Sequence, residues 1–285
     1  MKRMFQWMMA AILICGQTLF TACSNNGDNP VMPDPDIVEN IIGKWASAET
    51  DGRTTPTNKR RVITIVSDTK AYYSASRGPR TDSDGTWIDE SEGDVVIRGN
   101  KVILTIYPDE QSMIVDEFII TAIDGNEFTA NHKITVTENG KVRHTDENVV
   151  RYTKVTADFS EAIVGLWECQ EIIGSETNND DNGRLEFLAD GTYRFYVKDD
   201  AGVWNLVPRE QNEYFVDGNF LATRWQPEGG AMICEWWEIA TVLGDKMLWT
   251  ALRQNEDGTV FEQGVLWEKV DLNDDSTTFN AAIEM

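Results

Sequence analysis

The 285-residue chain carries 48 acidic against 25 basic residues, a formal net charge of −23. A surface this acidic repels phosphate backbones and anionic lipid heads, which argues against nucleic acid as a partner and against membrane attachment through a basic patch. Its four cysteines, at 15, 23, 169 and 234, are too widely spaced for a zinc signature.

The N-terminus reads as an address. Lys2 and Arg3 open it, Met4 to Phe20 is largely apolar, and Phe20-Thr21-Ala22-Cys23 ends the run at small residues before a cysteine. Residues 1–22 therefore read as a secretory signal, too short and poorly flanked for a membrane span. The cysteine after Thr21-Ala22 resembles a bacterial lipobox, in which Cys23 would be diacylated and become the first mature residue. The alternative is an ordinary cleaved signal with an incidental cysteine. Residues 23–36, rich in Asn, Asp and Pro, read as a flexible tether.

From there the chain repeats itself. Ile42-Gly43-Lys44-Trp45 returns as Val164-Gly165-Leu166-Trp167, and Gly85-Thr86-Trp87 as Gly202-Val203-Trp204. Val96 to Asn100 returns as Phe215 to Asn219, Met113-Ile114 as Met232-Ile233, and Val150 to Val155 as Val265 to Val270. These landmarks keep one order and a nearly constant offset, so one small fold is present twice, over 37–155 and 160–270. Residues 271–285 read as an acidic, disordered tail. The charge is uneven: residues 37–155 hold 15 basic and 19 acidic residues, residues 156–285 hold 8 and 26.

Within each copy, apolar and polar residues alternate at period two, and Asp-Gly or Asn-Gly pairs punctuate the segments. The pairs are Gly99-Asn100, Asp124-Gly125-Asn126 and Asn139-Gly140 in the first copy. In the second they are Asp190-Gly191, Asp217-Gly218-Asn219, Gly244-Asp245 and Asp257-Gly258. Such turns need positive φ and suit tight hairpins. Eight or nine short antiparallel strands per copy make the chain all-β, enough to close a barrel or fold as a sandwich.

Comparing the copies phases the strands. Ile114, Asp116, Phe118 and Ile120 correspond to Ile233, Glu235, Trp237 and Ile239, and this face keeps its chemical type, so it is expected to point inward. Val115, Glu117 and Ile119 drift to Cys234, Trp236 and Glu238, as a solvated face would. The same phasing turns Val102, Leu104 and Ile106 inward, and Leu221, Thr223 and Trp225 with them. Cys169 shares the inner face with Trp167, while Cys234 lies on the drifting face, so a disulfide between them is not expected.

Gly-x-Trp on an opening strand, preceded by a short apolar turn (Ile37 to Ile42; Phe159 to Val164), resembles the lipocalin signature. Phe187 to Tyr193 resembles the second hairpin of the small bacterial lipocalin-like domains found in lipoproteins of Bacteroidota. The first copy departs from it at Ser67-Asp68-Thr69-Lys70, which lacks the hairpin glycine. The resemblance implies two tandem antiparallel up-and-down lipocalin-like β-barrels behind a lipoprotein signal peptide. It implies barrel closure by Trp45 under Lys154 and by Trp167 under Lys269, and a cup open to a small ligand. It further implies an outer-membrane lipoprotein, with the cell surface slightly favoured over the periplasmic face.

No catalytic constellation stands out: there is no Gly-x-Ser-x-Gly, His-Glu-x-x-His or phosphate-cradling loop. His132 and His144, the two histidines, read as exposed polar residues on strands. Asn178 to Asn182 offers oxygens for Ca²⁺ but reads better as a solvated hairpin tip. No cofactor or metal is expected, and the chain is not expected to be an enzyme. Seven tryptophans crowd the second copy, most expected in its core, with Trp236 on the outward face where an exposed indole would stack on a sugar or a protein. The expected ligand site is there, formed by Trp225, Glu235, Trp237 and Trp249. The reading is thus a membrane-attached binding protein, held by lipid on Cys23, for a small amphipathic, apolar or glycan-like ligand. The alternatives are a structural or protein-interaction lipoprotein with filled barrels, or indoles that merely fill the core while Glu235 pairs with Arg224 or Arg253.

Overall fold

The structure is a computed structural model that describes residues 37–76, 88–174 and 183–271. The signal segment, Cys23, the tether, Gly85-Thr86-Trp87, Asn178 to Asn182 and the tail beyond Asp271 lie outside the described residues.

The first copy opens with a one-turn helix α1 (Ile37–Ile41), then β1 (Gly43–Thr50), β2 (Arg53–Thr54) and a 3-10 turn (Thr57–Lys59). There follow β3 (Arg61–Ile65), β4 (Lys70–Ser76), β5 (Ile88–Arg98), β6 (Lys101–Asp109), β7 (Ser112–Ile123), β8 (Glu127–Glu138) and β9 (Lys141–Lys154). The second copy has β10 (Gly165–Ile173), β11 (Gly183–Phe187), β12 (Tyr193–Lys198), β13 (Trp204–Leu206) and β14 (Arg209–Asp217). It ends with β15 (Phe220–Pro227), β16 (Ile233–Leu243), β17 (Lys246–Gln254) and β18 (Val260–Val270). The chain is all-β, and the strands pair antiparallel in sequential order. Turn chemistry explains the meander: at the β8–β9 hairpin Asn139 and Gly140 take φ of 50° and 71°, the pair of positive values that matches strand twist.

The two sheets close differently. In the first, β1 pairs with both β3 and β9, so β1 and β3 to β9 form a complete eight-stranded barrel with β2 as an outer flap. In the second, β10 joins β11 to β18, and the sheet curls from β13 round to β14. There, among the described residues, the backbone just before β12 joins β14 at the Thr192–Glu213 bridge and the Tyr214 N–H to Gly191 carbonyl bond (2.8 Å). Side chains cover the remaining gap. Arg209 lies 4.6 Å from the Phe195 ring centroid and 5.0 Å from that of Trp225, and donates to the Tyr193 hydroxyl at 3.3 Å.

The inward phase derived from the repeat holds at Val102, Leu104, Ile106, Asp116, Phe118 and Ile120, all buried, and at Leu221, Thr223, Trp237 and Ile239. Both copies are sealed at one end in the same way. The indole N–H of Trp45 donates to the Ile41 carbonyl (2.8 Å) and that of Trp167 to the Ile163 carbonyl (2.7 Å). Lys154 Nζ stands 5.1 Å from the Trp45 ring centroid, Lys269 Nζ 5.2 Å from that of Trp167. The glycine of Gly-x-Trp is needed for this. A Cβ on Gly43 would meet Lys154 Cε at 2.9 Å, one on Gly165 would meet Lys269 Cε at 2.8 Å, and both φ values (142° and 134°) suit glycine alone.

Ile233, phased inward with its face, is instead 39% accessible at the start of β16. Two further expectations are corrected. Trp236 is not exposed: it is 6% accessible and packs with Phe220 and Ala222 against Ala46 and Val62 of the first copy. The drifting face of β16 is therefore an interface between copies rather than a solvated wall, and a face can lose its repeat symmetry for either reason. Polar contacts extend this interface. Lys44 pairs with Asp217, and Arg60 Nε lies 3.0 Å from Glu238. The Thr57 hydroxyl, fully buried, donates to Glu238 (3.3 Å) and accepts the Leu252 N–H (2.8 Å). The second correction is His132, which is 4% accessible and turned inward. His144 is exposed. Cys169 lies in the second copy's core and Cys234 packs against the interface cluster, so the two are not bonded to each other.

Candidate ligand-binding cleft

β9, at 14 residues, is the longest strand of the first copy, and β7 and β8 follow at 12 each. Along β8 the inward residues proceed from Phe128, against Trp45 (ring centroids 5.1 Å apart), through Ala130 and His132 to Ile134 and Val136. At the end away from Trp45 this wall and the β1–β2 flap border an open cleft of about 790 Å³. Its lining is mixed. Ile134, Val136, Val150 and Pro56 supply apolar surface; Arg53, Lys59, Arg61, His132, His144, Asp51, Asp146 and Asn148 supply polar groups. Gln254 of the second copy completes the rim by accepting from Lys59 Nζ at 2.8 Å. Such a volume falls in the range of small-molecule pockets.

A buried polar chain forms the floor. Asp116, 1% accessible, accepts from His132 Nε2 at 2.7 Å, and His132 Nδ1 meets the Asn148 side-chain oxygen at 3.1 Å. The ring stacks on Phe118 (centroids 4.6 Å apart, planes 18°). A carboxylate in an apolar barrel costs several kcal/mol unless paired, and His132 supplies the pairing. With Nε2 donating to Asp116, Nδ1 either accepts from the Asn148 amide or donates to its oxygen, so the amide's orientation follows the protonation of the ring. Arg61 Nη1 lies 3.8 Å from Asp116, an ion-pair distance too long for a hydrogen bond. Tyr73 first, then Tyr152, Asp116 and Asp146, push the Arg61 guanidinium above its ordinary range, against the opposing effect of burial. Burial pushes the Tyr152 hydroxyl up as well.

The residues expected to line a ligand site lie in the second copy, and the structure brings them together as packing. Trp237 is 6% and Trp249 3% accessible, with ring centroids 5.9 Å apart, and Trp225 and Glu235 are half-buried. Trp237 Nε1 donates to Glu235 at 3.2 Å, and the Arg253 guanidinium sits 4.4 Å from the Trp237 ring centroid. Arg224 pairs instead with Glu213. Desolvation lowers the Arg253 and Arg209 guanidinium pKa values, with Glu235 acting in the opposite direction on both.

Register shows how the two interiors differ. Ile119 pairs with Asn131 as Glu238 pairs with Thr250, so Trp249 stands where Ala130 does and Ala251 where His132 does. Phe128 pairs with Tyr152 as Met247 pairs with Trp267, so Trp267 replaces Tyr152. Trp237 replaces Phe118. Three indoles of the second core thus stand where Phe118, Ala130 and Tyr152 stand in the first, and of these three only Tyr152 lines the cleft.

Arg61, Asn148 and the His132–Asp116 pair were not singled out as site residues from sequence. A signal existed. Arg61 is in phase with the buried Ile63 and Ile65, and His132 with Phe128 and Ala130. A charged residue in register with a core face needs a partner or a ligand.

No protein-family model and no curated protein matches the chain. Among solved structures, a protein of unknown function from the DUF3598 family of Nostoc punctiforme is similar at 11% identity and a TM-score of 0.24. The alignment covers 82% of this chain and 97% of that one. Two variants of the vaccine antigen transferrin-binding protein B from Haemophilus parasuis are similar at 11% and 10% identity, with TM-scores of 0.21 and 0.20. They align with 80% and 76% of this chain, which spans 64% and 61% of theirs. Likeness at this level carries no argument about function.

Proposed function

We propose that the chain is a non-enzymatic binding lipoprotein that holds a small amphipathic or glycan-like ligand in the cleft of its first barrel. The observation that carries this reading is a cleft of about 790 Å³ over a built polar floor in the first copy, set beside a second copy whose core packs Trp237, Trp249 and Trp267. Catalysis is not part of the proposal, because both His132 nitrogens are engaged by Asp116 and Asn148, leaving neither as a base for an incoming group. The second copy then serves as a scaffold. Its Glu238 and Leu252 hold Thr57, and its Gln254 holds Lys59, so it fixes the segment that walls the cleft.

We further propose that the chain is kin to the small bacterial lipocalin-like lipoproteins and is anchored at the outer membrane through lipid on Cys23. Cys23→Ser should then move the protein from the membrane fraction to the soluble one. A substituted protein still membrane-bound at its normal mature mass overturns the anchor. For the ligand, native mass spectrometry of the purified protein should show a co-purifying small molecule that Ile134→Trp, which fills the cleft, displaces. An adduct untouched by Ile134→Trp places the ligand elsewhere.

A further inference from the structure

We infer that Asn148 decides what the cleft floor offers a ligand, and that the proton on His132 sets the orientation of Asn148. With the ring charged the floor presents amide N–H donors; with the ring neutral it presents an amide oxygen. This rests on the cleft being a ligand site and adds a control built into its floor. Both histidines of the chain line this cleft.

Each nitrogen of the buried ring stands opposite an oxygen. Nε2 faces Asp116 Oδ1 at 2.7 Å and Nδ1 faces Asn148 Oδ1 at 3.1 Å. Ionised carboxylate and amide oxygens only accept, so this arrangement is satisfied when both nitrogens carry protons. Stacking on Phe118 keeps the ring in its plane. The NH2 end of the Asn148 amide then has no partner among the described residues, at a half-buried position on the cleft wall.

Loss of one ring proton to water reverses the amide. Asp116 keeps the proton on Nε2, because a buried carboxylate left without a donor is costly. Nδ1 becomes an acceptor facing another acceptor 3.1 Å away. Turning the amide over brings its N–H to Nδ1 and its oxygen to the cleft, with no movement of the backbone.

The other titratable groups nearby do not replace these two partners. Arg61 on β3 lies 3.8 Å from Asp116, and Tyr73 on β4 and Tyr152 on β9 act on that guanidinium. His144 and Asp146 on β9 line the same opening, as do Asp51, Arg53 and Lys59 on the flap side. None of them bonds to a ring nitrogen among the described residues. Because this lining mixes both signs of charge, it does not choose between ligands as sharply as an amide that exchanges donor for acceptor.

Nitrogen-15 NMR of the ligand-free protein, from about pH 9 to about pH 4, spans the ordinary titration of histidine and reads this directly. At the acid end the His132 ring should show two protonated nitrogens, and at the alkaline end one, on Nε2. The Asn148 side-chain amide signals should shift with the same midpoint. Asn148→Leu removes the oxygen that accepts from Nδ1. It should lower the His132 midpoint by roughly 0.5–1 in pH, as the loss of a hydrogen bond to the charged form requires, and leave that of exposed His144 in place. A ring that keeps one protonation state throughout, or a neutral ring protonated on Nδ1, overturns the inference. So does an Asn148 amide that does not move with the ring, or a His132 midpoint unmoved in Asn148→Leu. None of these failures touches the cleft itself, which displacement of the adduct by Ile134→Trp decides separately.

Discussion

Trp237→Ala distinguishes an indole that fills a core from one that lines a pocket. The side chain is 6% accessible and lies between Trp249 and the Arg253 guanidinium, with its N–H on Glu235. Truncation removes nearly the whole indole from a packed cluster and leaves a cavity bounded by rigid rings. Measured costs for buried aromatic truncations are about 3–5 kcal/mol. The lost cation–π contact, about 0.5–2 kcal/mol, falls within that figure rather than adding to it. Against a domain stability of about 5–15 kcal/mol this is a large fraction. Urea unfolding followed by circular dichroism, which unlike fluorescence does not depend on the deleted fluorophore, should show the loss. Ligand affinity of the folded protein should be unchanged, because the cleft is in the other copy. A loss below about 1 kcal/mol, or a folded variant that no longer binds its ligand, would refute the reasoning.

Gly43→Ala and Gly165→Ala should each destabilise by about 1–3 kcal/mol, from strain at positive φ and the close approach of the lysine stem; thermal melts indistinguishable from the parent would contradict that account. Asp116→Ala leaves His132 buried without its carboxylate and should cost about 3–5 kcal/mol, measured by the same unfolding experiment. Trp236→Ser should loosen the two copies, read as faster amide exchange at Ala46 and Val62; unchanged exchange there would show that the interface does not depend on the indole. Stability should fall in acid. Side-chain bonds from Arg151 lower the Glu49 pKa, and bonds from Thr192, Thr259 and the Val203 N–H lower those of Asp190, Asp257 and Asp199. A carboxylate depressed in the folded state contributes stability above its unfolded value, near pH 4, and loses it as the pH falls through the folded one. A melting temperature that holds steady from pH 6 down to about pH 2 would exclude these bonds as contributors.

Much of the fold was legible because the chain states its pattern twice. Residues such as Ile120 and Ile239 keep their type through the repeat, and that marked the inward face of each strand without any other comparison. The same logic misread Trp236. Drift between copies marks a face that is not the core, but it does not separate water from a neighbouring domain, and the apolar surface of Ala46 and Val62 that covers the indole comes from strands far away in sequence. The closure of the two sheets was equally hidden, since whether β12 zips fully to β14 depends on the segment between them. The candidate site was legible only in part. Asp116 was phased inward correctly, but the tryptophan-rich copy drew attention as the place with most binding surface. In a barrel interior large side chains subtract volume, and the cleft opens instead in the first copy, beside His132, Ile134 and Val136.

The central claim is that the first barrel's cleft holds the ligand. Native mass spectrometry of the parent, Ile134→Trp and Trp237→Ala proteins, each purified from the cells that make it and first shown to be folded, tests this most directly. A small-molecule adduct present on the parent and on Trp237→Ala but absent from Ile134→Trp is the predicted result. An adduct lost from Trp237→Ala and kept by Ile134→Trp, or no adduct on the parent, would contradict it.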